Sequence, residues 1–158
     1  PIMKFGFESF CQRCVECGID GVIIPDLPFK DYEETYKTIA LKYDIRIIML
    51  ITPETSETRV REIDAHTDGF IYMVSSAATT GAQEDFDIQK QAYFKKIEDM
   101  HLHNPRMVGF GISNQQTFDA ACANSSGAII GSRFVTLLNE TEGDAEKAIK
   151  KLKEEIGR

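Results

Sequence analysis

The amino-acid sequence predicts an α/β fold, a (β/α)8 TIM barrel in an incomplete form with about five of its eight strands. Short apolar runs alternate with amphipathic segments along the chain, and this alternation is typical of β–α units around a parallel sheet. Each apolar run is compact and ends in small or turn-forming residues, at the edge where barrels build their sites. A doubly wound open sheet is the alternative, but its central strands are usually longer.

Five apolar runs are the predicted strands. The second run is apolar almost throughout, as expected for a strand that is buried on both faces of a sheet. The runs are residues 20–28, 45–53, 68–75, 107–113 and 125–132. A closed barrel needs eight strands and typically about 250 residues, so these runs fit about strands 4 to 8 with their helices.

The amphipathic segments between these runs are the predicted helices. Their apolar side chains recur at intervals of three and four residues, which places them on one face of a helix. We expect Asp31 to cap the second helix and Thr55 or Ser56 to cap the third, because their side-chain oxygens can accept free N–H groups. The segments are residues 5–18, 30–43, 56–67, 87–104, 114–124, 133–143 and 143–158.

The chain carries 18 basic and 25 acidic residues, which gives a net charge of -7. This balance argues against a nucleic-acid partner or an anionic membrane surface, because phosphates would be repelled over most of the protein. The most apolar run, residues 45–51, contains Arg46 and is shorter than the ~20 residues of a membrane-spanning helix. Since no basic and apolar leader opens the chain, we expect a cytoplasmic protein. Because the first residue is Pro1 rather than Met, we also expect an N-terminal portion to precede it.

Cys11, Cys14 and Cys17 form a C-x-x-C-x-x-C pattern that some iron–sulfur proteins use. Cluster ligands usually lie on loops, whereas the pattern around these cysteines is typical of a helix. Thiols at positions i, i+3 and i+6 fan around a helix instead of converging on one ion. We therefore expect free cysteines, no metal site and no cofactor bound by this chain.

Glycine pairs end the last two predicted strands. Gly109 and Gly111 flank Phe110, and Gly131 precedes Ser132 at the start of a short helix. In barrels, the loops after strands 7 and 8 and the first turn of a short helix commonly hold a phosphate. Glycine lets the anion approach free backbone N–H groups, and the helix dipole attracts negative charge. The alternative is that these glycines only permit tight turns or close packing.

Three further features lie near this predicted edge. Residues 75–86 are small and without periodicity, as in a mobile lid whose Thr80 and Gly81 could close on a phosphate, although a solvated loop is the alternative. Tyr72 ends a strand, where it either packs in the core or faces a flat aromatic ligand. Asp26 stands where a catalytic acid could stand, but we expect it to cap a turn or contact a partner.

His66, His101 and His103 fall at helix ends and connections. We expect them at the surface and away from the strand ends that carry the glycines. The sequence therefore predicts a phosphate-binding site without an evident acid–base pair.

These motifs together resemble the alpha chain of tryptophan synthase. The segments GIDGVIIPDLP, ITP, FIYMVS, a loop ending in TTG, VGFGIS and GAIIGS follow that family's order and spacing over essentially the whole chain. The resemblance implies a barrel lyase of tryptophan biosynthesis that splits indole-3-glycerol phosphate into indole and glyceraldehyde 3-phosphate by a retro-aldol reaction. It also implies a pyridoxal-phosphate beta subunit as partner in an α2β2 complex, which receives the indole through an internal channel.

Carried over residue by residue, the resemblance assigns two groups of substrate-binding positions. The phosphate is assigned to Thr80, Gly81, Gly109, Phe110, Gly111, Gly131 and Ser132. The indole ring is assigned to Ile23, Pro25, Ile51, Tyr72 and Ile129. One departure is that Ala77, Ala78 and Thr79 stand where the family's lid has a serine–glycine portion.

The resemblance places the family's two catalytic carboxylates, a glutamate on strand 2 and an aspartate in the loop after it, before Pro1. We therefore expect no catalytic residue in residues 1–158, which we interpret as the C-terminal part of a single barrel domain that is inactive alone. One alternative is a non-catalytic barrel fragment that binds phosphate or a partner. Another is a different phosphate-binding barrel, which the PDLP and TTG segments do not suit.

Overall fold

The computed structural model describes residues 1–74, 83–109 and 111–158, with only the backbone given for 83–88. The ladders between its strands are parallel, with β1 beside β2 and the others in the order β3–β4–β5–β6. The strands are β1 (Gly21–Ile23), β2 (Arg46–Ile48), β3 (Leu50–Ile51), β4 (Ile71–Val74), β5 (Arg106–Gly109) and β6 (Gly127–Ile129).

The order of the strands in space follows their order in the chain. A barrel has this arrangement, whereas a doubly wound sheet reverses its order at a switch point. The predicted α/β fold with successive parallel strands of a barrel is therefore confirmed for the described part of the chain.

The apolar run 45–53 differs from its prediction as one strand. It forms two short strands, of which β2 pairs with β1 and β3 pairs with β4. Met49 lies between them, and its carbonyl accepts a hydrogen bond from the N–H of Tyr72 at 3.0 Å. The run therefore connects the two sheets without leaving the hydrogen-bonded layer.

Helices follow the strands, and every segment predicted to be helical contains one. They are α1 (Ile2–Phe5), α2 (Phe7–Glu16), α3 (Phe29–Asp31), α4 (Lys37–Lys42), α5 (Glu57–His66), α6 (Gln83–Asp99), α7 (Gln115–Cys122), α8 (Ser132–Glu140) and α9 (Ala145–Glu155), with a π-helical turn at Tyr32–Tyr36. The helix α1 was not predicted, and α6 begins at Gln83, before the expected start.

The two predicted helix caps have different outcomes. Ser56 caps α5, because its hydroxyl oxygen accepts the N–H of Arg59 at 3.3 Å. The prediction for Asp31 is wrong, since its φ of -63° and ψ of -37° place it inside the helical segment. That segment begins directly after Pro28, which is the N-cap residue with extended backbone, so Asp31 lies three residues too late to cap it.

The core lies between the strands and the helices. Ile51, Met73 and Val108 are aligned across β3, β4 and β5, and none of them is more than 1% exposed. A side chain of this size contributes roughly 1.5–3 kcal/mol when it is fully buried. This buried row anchors β4 and β5 in the core close to their carboxyl ends.

The cysteines are free, as predicted. Cys11 and Cys14 are buried on α2, and Cys17 is exposed at its end. Burial is the main cause that raises the pKa of the Cys11 thiol to about 11. Among the described residues, no group of three or more His, Cys, Asp or Glu side chains is placed to hold a metal ion. None of the helices described above is long and apolar enough to cross a membrane.

A buried amide joins the end of α5 to the connection before β5. The Asn104 side chain donates to the Asp64 carbonyl at 2.8 Å and to the Thr67 carbonyl at 3.1 Å. The Asp64 carboxylate in turn accepts the backbone N–H groups of His103 and Asn104, each at 2.8 Å. These bonds fix where β5 enters the sheet and therefore where its carboxyl end emerges.

Candidate functional site

The candidate site lies at the carboxyl ends of β5 and β6, which are adjacent and parallel. Gly109 and Ile129 are aligned, and each is the last residue of its strand. Gly111 and Gly131 follow two residues later, so the two predicted glycine pairs meet at one edge of the sheet. Backbone N–H groups beyond a ladder's last pair are available to an anion, which is the chemistry a phosphate site requires.

Gly109 has a packing reason to be glycine. It is buried, and the phenol group of Tyr72 occupies the space that a Cβ at this position would take. The alternative interpretation of the glycine pairs, close packing, therefore holds at this position. The assignment of its backbone to a phosphate stays a prediction.

Tyr72 projects from β4 over the end of β5. Its side chain is half-buried, and burial raises the pKa of its hydroxyl above the ordinary value. The residue therefore remains an uncharged phenol at neutral pH, with an aromatic ring at the strand edge. This position fits both alternatives, packing against Gly109 and contact with a flat ligand.

Gly111 has a conformational reason to be glycine. Its φ is +74°, in the left-handed region that residues with a side chain rarely adopt. It is exposed, and the Nζ atom of Lys90 lies 3.8 Å from the position that a Cβ would take. No sequence pattern points to Lys90, because its approach to Gly111 depends on the three-dimensional position of α6.

Gly131 and Ser132 form the start of α8. The Gly131 carbonyl accepts the N–H of Val135 at 3.0 Å, and no side chain caps the helix. Among the residues that the structure describes, none lies within 4 Å of the position that a Cβ at Gly131 would take. The first N–H groups of a helix lack partners inside it and carry the positive end of its dipole. Within the described part of the chain, no side chain stands beside Gly131 at this end of β6, and the start of α8 has the polarity that attracts an anion.

Arg133 follows Ser132 directly, but its charge is used elsewhere. Its guanidinium donates to both carboxylate oxygens of Glu155, through Nε at 2.7 Å and through Nη2, and to Glu140 at 3.2 Å. These bonds hold α8 against α9. The positive charge next to Ser132 in the sequence is thus committed to carboxylates of the protein.

The residues assigned to an indole pocket lie on several strands. Ile23 ends β1 and is 42% exposed, Pro25 is exposed, and Ile129 is half-buried at the end of β6. Ile51 is fully buried, one register position beyond the partner of Tyr72. Since side chains alternate along a strand, Ile51 faces the side of the sheet opposite to Tyr72. The pocket assignment of these residues stays a prediction.

Part of the predicted site lies outside the described residues. This part comprises Thr80, Gly81 and Phe110, together with the altered lid segment 77–79. Asp26 is exposed in the turn that follows β1.

The three histidines lie away from the glycine edge, as predicted. His66 ends α5, where its Nδ1 atom lies 2.5 Å from Oε2 of Glu33. His101 and His103 lie in the connection from α6 to the amino end of β5. They therefore take no part in the candidate site.

Comparisons with known proteins all lead to one family. The sequence profile of the tryptophan synthase alpha chain family matches residues 1–158. The chain is 77% identical over 153 residues to the tryptophan synthase alpha chain of Bacteroides fragilis, covering 97% of this chain and 58% of that protein. It is 76% identical over 156 residues to that of Bacteroides thetaiotaomicron, covering 99% of this chain and 60% of that protein.

Solved structures of the same kind superpose on the chain. The tryptophan synthase A-subunit of Pyrococcus furiosus gives a TM-score of 0.83 at 28% identity, covering 100% of this chain and 63% of that structure. The alpha subunit from Campylobacter jejuni gives 0.78 at 30% identity, covering 98% and 60%. The chain spans about 58–60% of the length of the two curated relatives. It belongs to the tryptophan synthase alpha chain family.

Proposed function

We propose that the protein carrying this chain is a carbon–carbon lyase of tryptophan biosynthesis, which splits indole-3-glycerol phosphate into indole and glyceraldehyde 3-phosphate. The observation that supports this proposal is the meeting of two glycine pairs at one sheet edge, beside Tyr72 and the start of α8. This edge combines N–H groups for a phosphate with an aromatic side chain. A phosphorylated indole substrate needs both.

The phosphate is proposed to lie against the backbone at Gly111, Gly131 and Ser132. Gly111 is exposed and left-handed, and no residue of the described ranges stands beside Gly131, so neither glycine itself blocks an approaching anion. The first turn of α8 adds the positive end of its dipole, and Ser132 adds a hydroxyl donor. This arrangement holds the substrate by the end that does not react.

The reaction itself requires two proton transfers. A base takes the proton of the hydroxyl next to the indole ring, the C–C bond to the ring breaks, and that hydroxyl carbon becomes the aldehyde. An acid protonates the ring carbon that the bond leaves. The family assigns these steps to two carboxylates in motifs that no position of residues 1–158 matches, so this chain is proposed to contribute substrate binding alone.

The partner and the setting follow from the same proposal. We expect the protein to assemble with a beta subunit in an α2β2 complex and to pass indole to it, in the cytoplasm. Residues 1–158 are proposed to form the C-terminal part of a single barrel domain.

Indole release from indole-3-glycerol phosphate, measured on the protein in the length that its gene encodes, tests the proposal. We expect release with and without the beta subunit, and much slower release from indole-3-glycerol that lacks the phosphate. A protein that binds the phosphorylated compound in equilibrium dialysis but releases no indole under either condition contradicts the lyase function and favours a binding protein.

A further inference from the structure

We propose that Tyr93 on α6 and Glu54 in the turn after β3 form a latch, which is open in this structure and closes when a ligand occupies the carboxyl ends of the strands. Closing makes a hydrogen bond from the Tyr93 hydroxyl to the Glu54 carboxylate. This inference rests on the proposed function for the identity of the ligand, but the hydrogen bond can be observed without turnover.

The Tyr93 hydroxyl is a buried polar group that lacks a partner. Tyr93 is 7% exposed and packs against Phe94, with 5.7 Å between the ring centroids. Its hydroxyl oxygen is buried and makes no hydrogen bond to any residue that the structure describes. Such a group costs free energy, whereas phenylalanine would fill the same space without this cost. The hydroxyl is therefore explained if it gains a partner in a second state of the protein.

The helices α5 and α6 run side by side in a fixed register. At the start of α5, Oε1 of Glu57 lies 3.1 Å from Nζ of Lys96. One turn later, Arg61 donates from Nη1 to the carbonyl of Met100 at 3.3 Å. Both pairs join residues that are 39 positions apart in the chain. Because equal steps along the two helices keep this separation, the helices are parallel and their facing positions are defined.

Glu54 and Tyr93 stand at the next position of this register, one turn closer to the carboxyl ends of the strands. They are also 39 positions apart, and they precede Glu57 and Lys96 by three residues each. Burial and, after it, the negative charge of Glu54 raise the pKa of the Tyr93 hydroxyl, which agrees with this placement. The carboxylate is thus near the hydroxyl, although no hydrogen bond joins them in this structure.

The turn after β3 can bring Glu54 to Tyr93 without unfolding. The Thr52 N–H donates to Oγ1 of Thr55 at 2.9 Å, and the Thr55 N–H donates to the Thr52 carbonyl at 3.0 Å. These bonds hold the base of the turn, while Glu54 at its tip is exposed. An exposed side chain changes rotamer within nanoseconds, so closing need not break either bond. The bond that forms is charge-assisted and therefore stronger than one between neutral groups.

Both parts of the latch are attached to the edge where the substrate is proposed to bind. The turn follows Ile51, the last residue of β3. One turn before Tyr93, α6 carries Lys90, whose Nζ atom lies 3.8 Å from the position that a Cβ at Gly111 would take. A ligand that contacts the end of β3 and α6 together favours the state in which they are joined. By linkage, the closed latch raises the affinity for that ligand by the same factor.

The test compares Tyr93→Phe, Glu54→Ala and the double variant with the parent, in the protein as its gene encodes it. Indole and inorganic phosphate are added together as unreactive probes, and their binding is titrated calorimetrically. We expect Tyr93→Phe to weaken binding by about fivefold or more. The Tm of its ligand-free form should be unchanged or raised, because the hydroxyl has no partner there. The double variant should bind no more weakly than Tyr93→Phe, since both changes remove the same bond.

Two variants are matched controls. Tyr43→Phe removes a hydroxyl that already donates to Glu8 at 3.1 Å, and Glu57→Gln alters the neighbouring pair of the register, which is formed without a ligand. Both should bind the probes within about twofold of the parent, since exposed pairs are weak. A Glu57→Gln variant that loses as much affinity as Tyr93→Phe overturns the inference, because the effect would then belong to the whole contact between α5 and α6.

Carbon NMR of the protein labelled at tyrosine Cζ observes the hydrogen bond directly. The Tyr93 signal, identified by its absence from Tyr93→Phe, should shift when the probes bind and should not shift in Glu54→Ala. A Tyr93 signal that ignores the probes, or that responds equally in Glu54→Ala, overturns the inference.

Indole release separates this inference from the proposed function. A protein that releases no indole from indole-3-glycerol phosphate, but whose Tyr93 signal responds to the probes as expected, overturns the lyase function and keeps the inference. A protein that releases indole with the same KM in Tyr93→Phe as in the parent keeps the lyase function and overturns the inference.

Discussion

The end of β5 differs from the end of β6 in what occupies the space beside its glycine. Tyr72 fills that space at Gly109, whereas no described residue lies within 4 Å of the position that a Cβ at Gly131 would take. The two strands are aligned neighbours in one sheet, β5 ends at Gly109, and Gly131 lies two residues past the end of β6. The difference shows that a glycine near a strand end can make room for a neighbouring side chain or can leave its backbone accessible to a ligand. The side chains around the glycine determine which of the two applies.

The largest expected effect concerns Gly109, where Tyr72 occupies the space beside the glycine. Gly109→Ala should destabilise the protein by about 1–3 kcal/mol, because its methyl group would overlap the phenol group of Tyr72. The free energy of unfolding in urea measures this effect. Gly131→Ala is the matched control, with the same added methyl group in open space. The comparison fails if the two variants lose equal stability.

A second substitution, at Tyr72, tests whether its side chain causes the loss of stability. Combining Gly109→Ala with Tyr72→Ala should recover part of the loss, since the smaller side chain vacates the contested space. The single variant Tyr72→Ala serves as the reference for the double variant. A double variant whose loss is simply the sum of the two single losses argues that Tyr72 is not the cause.

The second expected effect concerns Gly111, where the constraint is conformational. Gly111→Ala should cost about 1 kcal/mol, because alanine is strained at a φ of +74°. Gly18 provides a matched control, with a φ of +70° at the exposed end of α2. Both variants should lose similar stability, but only Gly111→Ala should also weaken phosphate binding. Equal phosphate affinity in the two variants contradicts the site.

These glycines also show how far the sequence could predict the molecule. The alternation of apolar and amphipathic segments was sufficient for the α/β fold, and the G-x-G and G-S pairs were sufficient to predict one glycine edge. The separate reasons for Gly109 and Gly111 were not predictable, because one depends on the Tyr72 ring from another strand and the other on a local φ. The approach of Lys90 to Gly111 was not predictable for a similar reason, since a lysine in an amphipathic helix gives no signal of the strand end that it approaches.

Errors at the ends of elements have local causes. The cap predicted at Asp31 failed because Pro28 already starts that helix. The run 45–53 was predicted as one strand because its apolar pattern continues through Met49, while its division between two neighbours is a property of the sheet. Patterns of hydrophobicity therefore predicted the elements better than their boundaries.

A third expected effect concerns Gly131, at the start of α8. Gly131→Ala should change stability by roughly 0.5–1 kcal/mol at most, since alanine is a poorer first residue for a helix than glycine. Its methyl group would nevertheless stand at the start of α8, where we propose that the phosphate approaches. We expect phosphate affinity, measured by calorimetry, to fall several-fold while the fold is kept. Unchanged affinity would place the anion elsewhere.

The smallest expected effect concerns Arg133, which follows Ser132 but is bound to carboxylates of α8 and α9. The hydrogen bonds from Arg133 lower the pKa of Glu155 below its ordinary value of 4.5. A carboxylate with a lowered pKa stabilises the folded state above its unfolded pKa, and this contribution is lost as the pH falls through the folded value. Glu155→Gln should therefore lower the Tm slightly near neutral pH, and the difference from the parent should vanish below about pH 4.5.

Thermal unfolding across this pH range checks the prediction, with the exposed neighbour Glu154→Gln as control. A Tm difference that persists unchanged into acid would mean that Glu155→Gln acts through packing. The same variant also tests the assignment of charge at the glycine edge, because it loosens Arg133 from α9. If Arg133 could bind phosphate, releasing its guanidinium from Glu155 should strengthen phosphate binding. We expect the affinity to change by less than about twofold, since Arg133 is not among the groups that we propose to bind the anion, which are Gly111 and the first turn of α8.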